Sequence, residues 1–418
     1  MNYGYVDDEI EDASDYLPGG HHPTQIDDRL NNRYRIVHKL GHGTSSAVWL
    51  ALHEKTSKCV AVKVGLANAY RREGNILSEL RRKFRRTKAK AEMISLALDS
   101  FDIGGPEGTH SRLVTMPARC SLRDAKGASD SSLFQLDVAR SLAAQLTMAV
   151  SLVHSHGYVH GDLHLGNVLL QLPPSSANLS VKQLYTNFGA MKLEPIKRID
   201  GNPIPLEDGV PSHTIPSMWL GIPSHKIALN EAKLSLTDFG SAFCPVPMSL
   251  GSSCAPLFVR PPEAFFEPRT HLTFKSDIWS LGCTIFELLA HRPPISGKLL
   301  YRDEITVQQV HLQGPPPSEW WDRWYGRSVW FDEAGRPFSK DYDIWTWERG
   351  FKEWIQKPRQ SCGMDTIDEN EMTAILELLR WMLSWRPEER PTAEEVLETA
   401  WMKKWALPAY RKGQKDVA

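Results

Sequence analysis

The chain has 418 residues, of which 41% are hydrophobic and 24% are charged, and its formal net charge is −1 at pH 7. This length allows two or three domains, or one large two-lobed domain with insertions, and the composition supports a sizeable core. The near-neutral charge excludes a global field that attracts nucleic acid or membrane. Six scattered cysteines without a C-x-x-C pair argue against a disulfide framework or a structural zinc. Because no segment has the pattern of a membrane span or a signal peptide, we expect a soluble intracellular protein.

Charge is unevenly distributed near the amino terminus. Residues 7–15 carry six carboxylates and no cation, whereas residues 71–90 carry nine lysines and arginines. The basic stretch is interpreted as a solvated helix face, and docking of an acidic partner, such as residues 7–15, is the alternative. Residues 1–33 as a whole predict an acidic extension that lacks regular structure.

A strand-rich region begins at Tyr34. The segments "YRIVHKLG", "SAVWLALH", "KCVAVKVG" and "SRLVTMPA" predict strands. Residues 69–86 predict a helix with Ile76, Leu77 and Leu80 on one face.

A helix-rich region follows. Helices are predicted at 136–157, 276–291, 371–385 and 392–404, and a short strand at 232–240. Two inserts interrupt this region: a spacer at about 171–232, rich in Pro, Ser and Asn and expected to be flexible, and a Trp-rich stretch at about 300–370. Strands before helices favour an α+β fold with a small β-rich N-lobe at 34–118, ending in a hinge, and a larger α-helical C-lobe at 119–410.

The turn "LGHGTSSAV" at 40–48 joins two predicted strands. Gly41 and Gly43 let backbone N–H groups approach a phosphate, although Ser46 stands where a third glycine is usual. Taken alone, this turn is best interpreted as a tight hairpin, but the segment "VAVK" that follows favours a phosphate-binding turn. Its Lys63 ends a strand of buried-type residues, where a lysine is not explained by packing.

A lysine after such a turn binds the α- and β-phosphates of ATP and pairs with a helix glutamate. Glu73 is the predicted partner of Lys63, and Glu79 is the alternative. The simpler interpretation of Glu73 is a solvated charge on a helix surface.

The segment "HGDLHLGNVLL" at 160–170 has the spacing of a phosphoryl-transfer loop. Such a loop needs a carboxylate that orients the substrate hydroxyl and an amide oxygen that holds a metal, and Asp162 and Asn167 have that spacing. "TDFG" at 237–240 adds Asp238 as a second ligand, because Mg²⁺ takes one or two carboxylates together with phosphate oxygens. The motifs therefore predict a site for ATP and Mg²⁺.

These motifs resemble those of the protein kinase family over about residues 34–405, together with "RPPE", "SDIWSLG" and "ERPT" farther along the chain. The resemblance implies a buried structural pair of Glu263 and Arg390, and an Asp277 that holds the backbone of the catalytic loop. It implies that Thr115 guards the pocket behind adenine. The residues implied to contact the nucleotide are Leu40, Gly41, His42, Gly43, Thr44, Ser45, Ser46, Val48, Ala61, Lys63, Glu73, Thr115, Met116 and Ala118.

Two residues depart from the family pattern. His164 replaces the lysine that touches the transferring phosphate, and Gly161 replaces the arginine that gathers a phosphorylated activation loop. "HGDLHLGN" also resembles aminoglycoside and choline phosphotransferases, which implies that a histidine at this position is compatible with activity. His164 is therefore counted as catalytic with Asp162, Lys63 and Asn167, and phosphoryl transfer is expected to be slower than with a lysine. The missing arginine predicts constitutive activity. A catalytically inactive scaffold and a small-molecule phosphotransferase are the alternatives.

The narrower resemblance is to the SR-protein-specific kinases, especially the divergent fungal-type members. It rests on "DYLPGGHHPTQIDDRLNNRYRIVHKLGHGTSSAVWLA" at 15–51, on "LDSFDIGGPEGTHSRLV" at 98–114 and on the position of the spacer. It implies a monomeric serine/threonine kinase of Arg/Ser-rich splicing factors, with roles in mRNA processing and a cytoplasmic and nuclear location. Direct binding of nucleic acid or membrane is not expected.

The family binds its Arg-rich substrates in an acidic groove of the C-lobe. Asp303, Glu304 and Asp322 are candidates for such a groove, although residues 301–370 also carry nine lysines and arginines. The tryptophans of this stretch are expected to pack the insert onto neighbouring helices.

Overall fold

The structure is a computed structural model, and it describes residues 3–4, 16, 19–68, 72–84, 91–105, 108–173, 179–198, 210–211, 213–245, 253–270, 272–296, 301–338 and 344–415. By their internal contacts the residues form two compact units. The first unit comprises Met1–Arg85, Ser95–Cys120 and Gln171–Gly221, and the second comprises Arg86–Ile94, Ser121–Leu170 and Ile222–Ala418. Each unit is described by itself below.

The strands lie mostly in the first unit. Their bounds are β1 Tyr3–Gly4, β2 Arg29–Leu30, β3 Tyr34–Gly43, β4 Ser46–His53, β5 Lys58–Ala67, β6 Asp99–Gly105, β7 Gly108–Thr115, β8 Ala118–Ser121, β9 Val168–Gln171, β10 Glu194–Pro195, β11 Lys197–Arg198, β12 His213–Thr214 and β13 Leu234–Leu236.

The helices lie mostly in the second unit. Their bounds are α1 Arg72–Lys83, α2 Leu122–Gly127, α3 Leu136–Ser155, α4 Val181–Phe188, α5 Glu263–Phe266, α6 Phe274–Leu289, α7 Arg302–Gln313, α8 Ser318–Arg323, α9 Arg327–Trp330, α10 Trp347–Phe351, α11 Lys357–Ser361, α12 Glu369–Met382, α13 Ala393–Glu398 and α14 Leu407–Lys415.

A six-stranded antiparallel sheet in the order β2-β3-β4-β5-β7-β6 forms the centre of the first unit. One face of this sheet is a hydrophobic core that includes Trp49, Val62 and Val114. Ile215 from the spacer is buried in the same core, and Met191 packs against it. The spacer therefore covers part of the sheet.

The predicted helix at 69–86 is present as α1. Ile76, Leu77 and Leu80 are its buried residues, as their spacing predicts. Glu73 lies in its first turn and three cations lie in its last, an arrangement that the helix dipole stabilises.

The spacer contains regular structure, contrary to the expectation of a flexible segment. Helix α4 begins with a capping box formed by Ser180 and Gln183, which satisfies two backbone N–H groups. Leu184 of α4 is buried against Leu50 and Cys59, and the hydroxyl of Tyr185 donates to the carbonyl of Val37 at 2.8 Å. Residues 174–178, 199–209 and 212 of the spacer lie outside the described residues.

The spacer also belongs to a different unit from the one expected. Residues 171–221 group with the sheet, whereas the sequence analysis counted them with the C-lobe. The backbone N–H of Met218 donates to the carbonyl of Lys39 at 2.8 Å, which adds to the contacts of α4. Long-range packing of this kind leaves little periodicity in the sequence.

The amino-terminal extension is likewise more ordered than expected. β1 pairs with β11 and β2 pairs with β3. Leu30 is buried in the sheet core, and the N–H of Ala67 donates to the carbonyl of Gly20 at 3.0 Å. The acidic residues at 7–15 and much of the basic stretch (Arg71, Arg85, Arg86, Lys88 and Lys90) lie outside the described residues.

Helix α3 runs through the second unit, and 14 of its 20 residues are buried. Among the described helices it alone is long and apolar enough to cross a membrane by length and composition. This helix meets the length and composition of a span although none is predicted from the sequence, and its burial supplies a packing reason for its apolar character. The predicted helices at 276–291 and 371–385 are present as α6 and α12. The predicted helix at 392–404 instead ends at Glu398, and the chain continues through a π-helical turn, Met402–Ala406, into α14.

The Trp-rich insert is packed as expected. Trp320, Trp321 and Trp324 are buried together with Phe266 and Trp385. The rings of Phe266 and Trp320 are stacked with centroids 5.1 Å apart. These tryptophans form one hydrophobic cluster of the second unit.

Candidate active site

One face of the first unit's sheet carries several of the residues predicted to contact nucleotide. Val48 is paired with Lys63, and Ala61 is paired with Thr115. Because cross-strand partners and residues two apart project to the same face, all four side chains share one face. Leu40 packs near the adjoining Leu50, Cys59 and Leu184 cluster.

The glycine-rich turn is a hairpin between β3 and β4. Its register pairs Gly43 with Ser46, which leaves Thr44 and Ser45 at the tip, and places His42 opposite Ala47. A Cβ added at Gly41 or Gly43 would meet no atom within 4 Å. The backbone of the turn is therefore open to a ligand such as a phosphate.

Lys63 and Glu73 are brought together. Nζ of Lys63 donates to Oε2 of Glu73 at 2.8 Å, and both side chains are mostly buried. The alternative residue, Glu79, instead pairs with Lys83 one helical turn away. The lysine is therefore held by a carboxylate on α1.

The hinge residues lie at the edge of the first unit. Thr115 ends β7, Ala118 begins β8, and the side chain of Met116 between them is 56% exposed. The pairing of β7 with β5 ends at Thr115, so the backbone groups of Met116 and Ala118 are not part of the six-stranded sheet.

The catalytic-loop motif lies in the second unit, where Asp277 of α6 holds its backbone. The N–H groups of His160 and Gly161 donate to the two carboxylate oxygens of Asp277 at 2.7 and 2.9 Å. Burial alone would raise the pKa of Asp277, but the hydrogen bond from His154, the charges of His154 and His160, and the N–H of Gly161 lower that pKa below its ordinary value. The loop is thereby fixed to a buried, ionised carboxylate.

Asp162 and Asn167 contact each other directly. Nδ2 of Asn167 donates to the backbone carbonyl of Asp162 at 2.9 Å and to its Oδ2 at 3.0 Å. Because both amide hydrogens point toward Asp162, Oδ1 of Asn167 is turned away from it and is available as a metal ligand. Oδ1 of Asp162 accepts no hydrogen bond from the described residues.

Asp238 is placed next to Asn167 by the backbone. The N–H of Thr237 donates to the carbonyl of Asn167 at 3.0 Å, and β13, which ends just before Thr237, pairs with β9, which begins just after Asn167. Asp238 itself has a left-handed backbone conformation with φ of 62°. An amide oxygen and a carboxylate on adjoining segments are oxygen ligands of the type that Mg²⁺ prefers, so these residues fit the ion.

His164 contacts a residue that the motifs did not indicate. Nη2 of Arg123 lies 2.8 Å from Nδ1 of His164, and the N–H of Gly166 donates to the same nitrogen at 3.0 Å. Nε2 of His164 lies 3.4 Å from Oδ1 of Asp162. Arg123 is 41 residues away from His164 in sequence, and no motif spacing connects the two.

Gly161 has a backbone conformation that explains its residue type. Its φ is 77°, and an added Cβ would lie 3.0 Å from the carbonyl oxygen of Ser241. An arginine at this position would therefore be strained and crowded.

The candidate groove carboxylates differ in their partners. Asp303 accepts from Nε1 of Trp324 at 2.7 Å, and Asp322 pairs with Arg327 at 2.9 Å. Glu304 forms no side-chain hydrogen bond or ion pair with the described residues. Two of the three predicted groove residues thus have internal structural partners.

Most of the chain matches a known protein family. The family model of the protein kinase domain matches residues 34–184 and 224–402. Similar proteins include the serine/threonine-protein kinase SRPK of Physarum polycephalum, which is 26% identical over 95% of this chain and 92% of that protein. A serine/threonine protein kinase of Aspergillus fumigatus is 22% identical over 96% of this chain and 93% of its own length.

Human SRSF protein kinase 3 is 30% identical over a shorter stretch, 40% of this chain and 30% of the human protein. A kinase domain of known crystal structure superposes with a TM-score of 0.59 and 19% identity, and the match covers 91% of this chain and 98% of that one. That likeness supports the two-lobed fold.

Proposed function

Since the chain belongs to the protein kinase family and is a serine/threonine kinase, we propose that it phosphorylates serines in Arg/Ser-rich proteins such as splicing factors. The observation that carries this proposal is the similarity to the Physarum SRPK over nearly the whole chain. The name of the human relative refers to SRSF proteins, which supports the same substrate class. A small-molecule phosphotransferase is not retained as an alternative.

Protein kinases use ATP and Mg²⁺, and the residues of this chain are proposed to divide the work as follows. Lys63, held by Glu73, binds the phosphates of the nucleotide. Asp162, whose side chain is 17% exposed, accepts the hydrogen bond of the substrate hydroxyl with its carboxylate and orients that hydroxyl. Asn167 and Asp238 would hold magnesium, which would supply positive charge to neutralise the phosphates.

We also propose that activity needs no phosphorylation of the activation segment. Phe243 and Val159 exchange two backbone hydrogen bonds of 2.8 and 3.0 Å, and the N–H of Cys254 donates to the carbonyl of Gly161 at 3.2 Å. The segment is therefore held to the catalytic loop on both sides of residues 246–252, which lie outside the described residues. These contacts take the place of an arginine–phosphate pair.

A small cavity beside the end of the activation segment bears on substrate preference. Arg260, Phe265 and Arg302 line it, and the guanidinium carbon of Arg302 lies 5.8 Å from the ring centroid of Phe265. Burial and the charge of Arg302 lower the pKa of Arg260, as expected when cations lie close together. This cavity suits an anionic or neutral side chain, so the arginines of a substrate are proposed to bind elsewhere, with Glu304 as the first candidate contact.

Phosphate transfer from Mg–ATP to an Arg-Ser repeat peptide, to a generic basic protein and to water tests the substrate proposal. We expect the highest kcat/KM with the Arg-Ser peptide. Equal or higher kcat/KM with the generic protein would contradict the Arg/Ser assignment, whereas nucleotide binding without transfer to any acceptor would favour an inactive scaffold. Phosphatase treatment of the enzyme is expected to leave these rates unchanged, and a large loss would contradict constitutive activity.

Glu304→Lys tests the docking contact without removing a structural partner. It should raise the KM for the Arg-Ser peptide and leave the KM for ATP unchanged, because a cation in place of the carboxylate repels the arginines. The matched control is Glu394→Lys, an exposed residue of α13.

A cytoplasmic and nuclear location stays a prediction, which imaging of a fluorescent fusion would check.

A further inference from the structure

We propose that Arg123, acting through His164, supplies the positive charge that protein kinases place two residues after the catalytic aspartate. In the kinases that the sequence resembles, this charge is a lysine. Here the imidazole of His164 has taken the lysine position, and the guanidinium of Arg123 lies directly behind it. The inference concerns the phosphoryl-transfer step and is independent of the Arg/Ser substrate proposal.

The hydrogen bonds of His164 determine which of its nitrogens carries the proton. Nδ1 lies 2.8 Å from a guanidinium nitrogen of Arg123 and 3.0 Å from the backbone nitrogen of Gly166. Both of these groups can only donate, since a guanidinium and an amide N–H have no lone pair to offer. Nδ1 is therefore the acceptor, and the proton is on Nε2.

That proton faces the catalytic carboxylate. Nε2 of His164 lies 3.4 Å from Oδ1 of Asp162, which accepts no hydrogen bond from the described residues. The contact is longer than a normal hydrogen bond and acts by electrostatics. A full positive charge on one side of a neutral ring polarises the N–H on its other side, so Asp162 senses a cationic donor.

The position of Arg123 is specified by local structure. Helix α2 begins at a capping box in which Ser121 accepts from the N–H of Asp124 at 3.0 Å and Asp124 accepts from the N–H of Ser121 at 3.3 Å. This fixes the first turn, where Arg123 lies, against the 3-10 turn Leu165–Asn167. Glu287 is close enough for its charge to interact with Arg123 and His164, yet the described hydrogen-bond partner of Arg123 is the imidazole.

Arg123 is a positioning residue in this scheme, because it touches His164 rather than the reacting atoms. Its removal would take away the charge behind the imidazole and leave the Gly166 N–H as the one described donor to Nδ1, so the tautomer and orientation of the ring would be held less firmly. A lysine at position 164 would carry its own charge. The effect of Arg123 should therefore depend on which residue occupies position 164.

A double-mutant cycle tests this dependence with a generic basic protein as acceptor. Arg123→Ala in the wild-type background should lower kcat about 10–100-fold, as for other residues that orient a catalytic group, with the KM for ATP changed by less than about twofold. In the His164→Lys background the same substitution should have little effect. Arg323→Ala, an exposed arginine of α8, is the matched control. Equal losses in both backgrounds, or no loss in either, would overturn the proposal.

A second measurement does not depend on turnover. Nitrogen-15 chemical shifts of the His164 imidazole, assigned by their loss in His164→Gln, report which nitrogen is protonated. The wild type should show the Nε2-protonated tautomer. Arg123→Ala should show a larger share of the other tautomer, because only the Gly166 N–H then donates to Nδ1, with unfolding temperatures checked for both. Identical shifts in the two proteins would contradict the role of Arg123, whatever the activity of the enzyme.

Discussion

Arg390 donates two parallel hydrogen bonds to Glu263 across 127 residues of sequence, from Nη1 to Oε1 at 2.9 Å and from Nη2 to Oε2 at 2.7 Å. Both side chains are buried. Ser276 adds a hydrogen bond to Oε1 of Glu263 at 2.9 Å, and the guanidinium lies 5.1 Å from the ring centroid of Trp279. The pair thus joins α5, α6 and the turn before α13, as the family resemblance implied.

Breaking this pair should destabilise the protein strongly. Glu263→Gln leaves a buried guanidinium without its carboxylate, and removing one partner of a buried ion pair costs about 3–5 kcal/mol. Urea unfolding of the two proteins measures the difference in the free energy of unfolding. Glu394→Gln on the exposed face of α13 is the control, and a loss of the same small size for both substitutions would contradict the structural role of the pair.

The contact between the spacer and the sheet predicts a second stability effect. Leu184 is 2% exposed, so Leu184→Ala should lower the free energy of unfolding by about 2–5 kcal/mol, the usual cost of truncating a buried leucine. It should also weaken nucleotide binding, since Leu40 of the glycine-rich turn packs against the same cluster. Calorimetry with ATP analogues and urea unfolding check the two effects. If Leu184→Ala behaves like Lys182→Ala, an exposed neighbour on α4, the spacer is not part of the folded first unit.

Acid should loosen the amino-terminal extension. Burial and the neighbouring charges of Arg112 and His110 lower the pKa of His22 to about 3, and its Nδ1 lies 2.9 Å from Oγ1 of Thr24. Since the unfolded chain has the ordinary histidine pKa of 6.5, the neutral form stabilises the fold fully above that value. This contribution is lost progressively as the pH falls from about 6.5 toward 3, because the unfolded chain then binds a proton that the folded chain does not.

The variant His22→Asn isolates this contribution. Its free energy of unfolding, measured by urea between pH 7 and pH 4, should fall less steeply with decreasing pH than that of the wild type. Parallel curves for the two proteins would show that His22 is not the group responsible.

Restoring the missing arginine should not create a phosphorylation-dependent kinase. Gly161→Arg places a side chain on a backbone with φ of 77°, which costs about 1–2 kcal/mol, and directs Cβ to within 3.0 Å of the Ser241 carbonyl oxygen. We expect a lower kcat and a lower unfolding temperature. Gly104→Ala is the control, because its Cβ would meet no atom within 4 Å. An active Gly161→Arg enzyme that responds to phosphatase would refute this explanation of the glycine.

Motif spacing alone predicted the candidate site residues, and the structure brings Lys63 to Glu73 and Asp162 to Asn167. Lys63, Asp162, Asn167 and Asp238 could be identified from the sequence alone, because each of them lies in a short and recognisable local pattern. The choice of Glu73 over Glu79 followed from the same pattern, and the structure places Glu73 against Lys63 at 2.8 Å.

Contacts between distant segments could not be predicted in the same way. Arg123 reaches His164 only because α2 packs near the catalytic loop, and a lone arginine at a helix start carries no signal of that contact. The apolar residues of the spacer have little periodicity, and two that are buried, Leu184 and Ile215, are far apart in sequence and pack on a sheet formed elsewhere. Both misjudged segments, the extension and the spacer, obtain their order from tertiary packing rather than from local propensity.

Single-turnover transfer of the γ-phosphate from Mg–ATP to an Arg-Ser peptide tests the central claim most directly. The wild type should form phosphoserine, and Asp162→Asn should transfer at least about 100-fold more slowly while it binds the nucleotide with similar affinity. A wild type that binds Mg–ATP but transfers phosphate no faster than Asp162→Asn would contradict the account.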